Sequence, residues 1–101
     1  MEFSKDVSGS TTTLKIRGEL DATTTPDIRP ALDEIASQSP KRVVVDLSSL
    51  RLIDSSGVGG IVSLFKRVRA AGGHFEVLGV CGQPRSIFKV LRLDRVFDIS
   101  A

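Results

Sequence analysis

The chain has 101 residues, 41% hydrophobic and 26% charged, which fits one globular domain with its own core and leaves no room for a second. Five Phe stand without Trp or Tyr, and 14 basic residues are interspersed among 12 acidic ones, so neither a base-stacking surface nor the basic stripe of a nucleic-acid binder is present. Cys81 and His74 are the single residues of their types, which excludes an internal disulfide and makes a poor metal site; with no membrane-length apolar run and no signal peptide in Met1-Glu2-Phe3, the expected setting is a reducing cytoplasm.

Residues 2–7 alternate weakly, with Phe3 and Val7 apolar and Lys5 on their side. This reads as an edge strand, able to pair weakly with another chain though the expected state is a monomer. Gly9-Ser10 signals a turn. Residues 11–20 then alternate, with Leu14, Ile16, Gly18 and Leu20 facing one way and Lys15, Arg17 and Glu19 the other; the two segments predict a β-hairpin. Thr25-Pro26-Asp27 predicts a helix opening with Thr25 as cap. Ile28, Ala31, Leu32, Ile35 and Ala36 form its apolar stripe. Pro30 removes a backbone bond, so this helix either starts late or bends.

Residues 42–47 are a β-branched run of central-strand type. Residues 46–50 read as a loop, with Leu50, Leu52 and Ile53 packing beneath it. A second helix is predicted over 56–71, with Val58, Ile61, Val62, Leu64, Phe65 and Val68 as its stripe. Gly72-Gly73 stops it. Lys66-Arg67-x-Arg69 on this helix reads as a solvated face that also complements the helix dipole. Residues 75–80 predict another strand, with Phe75, Val77 and Gly79 on one side. Pro84 opens a last helix whose apolar positions are Ile87, Phe88, Val90 and Leu91, and Val96-Phe97-x-Ile99 forms an apolar end segment. The order β-β-α-β-α-β-α predicts a small α/β fold, a mixed sheet of four to five strands packed with amphipathic helices. Cys81 is expected to be a small, half-buried residue, and His74 a strand-edge residue.

The stretch 50–60, L-R-L-I-D-S-S-G-V-G-G, organises the rest. It joins a strand to a helix and puts two hydroxyls beside a carboxylate. Catalysis is disfavoured: no base stands near the serines, and neither G-x-S-x-G nor a P-loop is present. Ser55 or Ser56 could cap the helix. Capping needs one hydroxyl, however, and three glycines in the first turn cost roughly 1 kcal/mol each against Ala. Phosphorylation at Ser55 would add about −1.5 to −2 charges at a helix N-terminus, where free N–H groups tolerate them. Asp54, and Asp21 if near, would sharpen the change felt by a docked partner.

Together these motifs resemble the STAS domain, specifically bacterial anti-sigma factor antagonists. Gly18-Glu19-Leu20-Asp21 resembles the family's G-E-L-D strand end, Val43-Val44-Val45-Asp46-Leu47-Ser48 its central strand, and Ile53-Asp54-Ser55-Ser56-Gly57-Val58-Gly59 its D-S-[ST]-G-L-G signature. The resemblance covers nearly the whole chain as a single domain. It implies a non-enzymatic partner switch that holds no cofactor and meets neither nucleic acid nor membrane. In such proteins the hydroxyl after the Asp, here Ser55, is phosphorylated by an anti-sigma factor that is a serine kinase of the histidine-kinase ATPase type. Phosphorylation ends binding, and a PP2C-type phosphatase restores it. Ser56 would then be the cap or a structural hydroxyl, and Asp21, Asp54, Gly57, Val58 and Gly59 would flank the docking site. Two departures stand out. Arg92 replaces the Gly usual after the late helix, which makes a left-handed cap costlier. The chain ends at Ala101, where many members continue into another helix. The competing reading is a structural STAS subunit of a complex such as a lipid transporter, working without phosphorylation.

Overall fold

The computed structural model describes residues 1–100. Its elements are β1 (Glu2–Ser8), β2 (Thr11–Leu20), α1 (Thr25–Ser37), β3 (Arg42–Ile53), α2 (Ser55–Ala70), β4 (His74–Leu78), α3 (Gly82–Val90), a 3-10 turn (Leu93–Arg95) and β5 (Asp98–Ser100). The five strands lie in the order β1-β2-β3-β4-β5. β1 and β2 form the antiparallel hairpin, and the remaining pairings are parallel. Every crossover therefore steps the same way across the sheet. The right-handed rule then puts all three helices on one face.

Burial agrees with that arrangement. Leu14, Ile16, Val43, Val45, Phe75 and Val77 point under the helices and are buried, while their neighbours Thr13, Lys15, Val44, Glu76 and Leu78 are half-exposed. Phe65 of α2 packs edge-on against Phe75 and Phe97, and Phe88 of α3 joins Phe97 at 5.6 Å. This cluster ties the two helices to β4. The opposite face of the sheet is polar and carries the ion pairs Arg42–Glu76 and Arg17–Glu2.

β3 corrects the sequence reading. Residues 46–50 are strand, and β3 runs unbroken to Ile53 beside β2. The apolar spacing hid this because β3 gains an extra residue twice against β2, once after the Lys15↔Asp46 pair and once after Gly18↔Leu50. Each bulge shifts the alternation by one. The buried set therefore runs Val43, Val45, Leu47, Leu50, Ile53, and Leu52 is left 46% exposed.

Helix ends bring further corrections. Thr24, and not Thr25, sits at the cap of α1, and its hydroxyl accepts from Asp21 N–H and donates to the Glu19 carbonyl instead of capping. Thr25 is buried, with its hydroxyl unpaired among the described residues. α1 starts at Thr25 and keeps Pro30 inside. Val90 and Leu91 are exposed, and so is Cys81, the cap residue of α3. Arg92 retains the left-handed conformation, at φ 59°, despite its side chain.

Candidate functional site

The strand-to-helix junction is built by Asp54. Its backbone is extended, and its N–H donates to the Leu20 carbonyl at the end of β2. One carboxylate oxygen, Oδ1, accepts from Ser56 N–H at 2.9 Å and Gly57 N–H at 3.0 Å; the other, Oδ2, accepts from Ala22 N–H at 3.0 Å. Asp54 is thus the cap of α2, and it also fastens the loop that begins at Asp21. This overturns the expectation that a serine caps the helix. A carboxylate is the stronger acceptor for orphan N–H groups. With Asp54 in that place, neither serine hydroxyl makes a hydrogen bond among the described residues, and Ser55 stands exposed as the first residue of α2.

Asp21 is turned into its own loop. Its Oδ1 accepts from the N–H groups of Thr23 and Thr24. The Thr24 bond leads in holding its carboxyl below the usual carboxylate range, with Thr23 adding to it. The Asp21 loop and the start of α2 are therefore neighbours, linked through the Ala22–Asp54 bond.

The glycines separate into two kinds. A Cβ on Gly57 would lie 2.5 Å from the Leu20 carbonyl and 2.8 Å from Ile53, so the bare backbone is what lets α2 seat against β2 and β3. Gly60 is buried, close to Leu32 and Thr25 of α1. Gly59 faces open space. Of the expected site residues, Ser55 and Gly59 are exposed, Asp21, Asp54 and Ser56 are half-buried, and Gly57 and Val58 are buried.

One residue escaped the sequence reading. Gln83 of α3 accepts from Ile53 N–H and donates to the Ile53 carbonyl, each at 2.9 Å. Nothing in the order Cys81-Gly82-Gln83-Pro84 marks it, because its partner is 30 positions away.

A family model described as STAS domain matches residues 2–101. An anti-sigma F factor antagonist of Paenibacillus polymyxa is 30% identical over 87 residues, 85% of this chain and 72% of that protein. An anti-sigma-B factor antagonist of Bacillus subtilis is 30% identical over 88 residues, 87% of this chain and 80% of that one. Among solved structures, an anti-sigma factor antagonist from Mycobacterium paratuberculosis superposes with a TM-score of 0.87 at 21% identity, over 97% of this chain and 83% of its own. The Bacillus cell fate determinant SpoIIAA in its phosphorylated form gives 0.78 at 22% identity, over 99% and 92%. At such identities the likeness is one of fold.

Proposed function

This chain belongs to the STAS domain family, and on that premise we propose that it is an anti-sigma factor antagonist switched by phosphorylation of Ser55. The unphosphorylated form binds an anti-sigma factor that is itself an ATP-using serine kinase of the histidine-kinase ATPase type. Transfer of phosphate to Ser55 ends the complex, and a PP2C-type phosphatase resets it. The cycle runs in the cytoplasm, with residues 1–101 acting as one switch domain.

The observation that carries this reading is the division of labour at the junction. Asp54 takes the capping bonds, so Ser55 is exposed and its hydroxyl holds no hydrogen bond among the described residues. A phosphate there meets the positive end of α2, which the fold tolerates. It also brings about −1.5 to −2 charges beside Asp54 and the Asp21 loop, which a partner docked on this patch would not tolerate. The two relatives described above are named anti-sigma factor antagonists, which supports the antagonist part of this reading.

The test is intact mass after incubation with ATP, Mg²⁺ and the serine kinase encoded beside this protein. One added phosphate on wild type and none on Ser55→Ala is the expected outcome. Ser55→Asp should bind the kinase at least tenfold more weakly than wild type while melting at a similar temperature. No phosphate, together with a stable complex with some other subunit, would replace the switch with the structural-subunit reading.

A further inference from the structure

The last strand pair in register with β3 on its β4 side is Asp46↔Leu78. From Leu47 to Ile53, β3 therefore has β2 on one flank and, among the described residues, no strand on the other. Its backbone groups on that flank need partners from elsewhere. At Ile53 they find Gln83, whose Oε1 accepts from the N–H and whose Nε2 donates to the carbonyl, both at 2.9 Å. A primary amide presents a donor and an acceptor side by side, as a neighbouring strand would. On the other flank, Asp54 N–H is held by the Leu20 carbonyl. Successive residues are thus gripped from opposite sides immediately before Ser55, and the Ile53 side chain is buried beneath them.

We propose that Gln83 is a positioning residue for Ser55: through this two-bond clamp, α3 fixes where the chain leaves the sheet and so where the Ser55 hydroxyl stands. The claim rests on Ser55 being the phosphoacceptor. Gln83 is half-buried with its amide turned to the Ile53 backbone, so its loss should spare docking and harm transfer. A misplacement of about 1 Å in a reacting group can cost on the order of 10²-fold in rate.

The experiment pairs kinase kinetics with amide hydrogen exchange on the full chain, using ATP, Mg²⁺ and the same serine kinase. Gln83→Leu should lower kcat for Ser55 phosphorylation roughly ten- to a hundredfold while KM stays within about twofold. Gln83→Glu keeps the acceptor and loses the donor, and should fall between the two. Exchange at Ile53 should accelerate in Gln83→Leu, the Ser55 and Ser56 amide resonances should move, and Val45 and Val77 should keep their protection, which shows that the fold persists. An unchanged kcat with a faster Ile53 amide would overturn the positioning role. A raised KM at constant kcat would overturn it too, by making Gln83 a docking residue. Unchanged Ile53 exchange would show that the clamp does not hold. Failure of wild type itself to take phosphate removes the phosphoacceptor and the proposal together, with Ile53 exchange still separating that failure from a failed clamp.

Discussion

At Asp54 a single carboxylate holds three backbone N–H groups from two segments of the chain, and this is what leaves Ser55 free. The D-S-S-G string told which residue types meet, but it did not tell which of three oxygen-bearing side chains takes the cap. That choice depends on the backbone at residue 54 being extended, and the Leu20 carbonyl helps fix it there. The glycines behave likewise: three in one turn look alike in sequence and separate once their neighbours are known. Gly57→Ala should destabilise the protein by about 1–3 kcal/mol, because a Cβ would push on the Leu20 carbonyl. Gly59→Ala should stabilise it by about 0.5–1 kcal/mol, since the site is open and helical. Denaturant melts of the two variants check both signs. A Gly59→Ala protein that melts more easily than wild type would mean that the start of α2 is not an ordinary helical turn.

The helices and strands were legible where apolar spacing is regular. The stripe of α2 is recovered in Val58, Ile61, Leu64 and Val68, all buried, and the alternation of β2 in Leu14, Ile16 and Leu20. It failed where an element departs from its own period. The two bulges in β3 turn a two-residue repeat into steps of three, which resembles a loop. In α3 only part of the expected stripe packs: Phe88 is buried, while Val90 and Leu91 stand exposed. Arg92 holds a left-handed conformation that costs an L-residue about 1–2 kcal/mol. Arg92→Gly relieves that strain and loses part of the gain to unfolded-state entropy. The expected result is a thermal midpoint a few degrees higher, corresponding to about 0.5–1 kcal/mol. An unchanged or lower midpoint would show that the Arg side chain contributes packing of its own.

For the whole molecule, one-way right-handed crossovers give a two-layer body with an open polar face on the sheet. Glu76 sits in that face. The Arg42 guanidinium leads in holding its carboxyl below the usual value of 4.5, and the Ser100 hydroxyl adds to it. A carboxylate depressed in the folded state stabilises fully above its unfolded pKa. That contribution fades as pH falls below about 4.5 and through the lower folded value. Asp21 acts in the same direction below 3.8. Glu76→Gln should therefore be less stable than wild type near neutral pH, and the gap should be smaller at an acid pH below 4.5. Urea titrations at the two pH values measure it; a gap independent of pH would assign the loss to packing.

The order of elements as far as α3, the apolar faces of α2 and β2, and the strand–D-S-S-G–helix junction were determined by the sequence alone, because periodicity, turn residues and motif spacing are local properties of a chain. The cap on α2, the extra residues in β3, the contrast between Gly57 and Gly59 and the Gln83 clamp were decided by tertiary structure. Each depends on groups far apart along the chain, such as Asp54 with Ala22 or Gln83 with Ile53, and no local pattern encodes which distant backbone group will arrive to be satisfied.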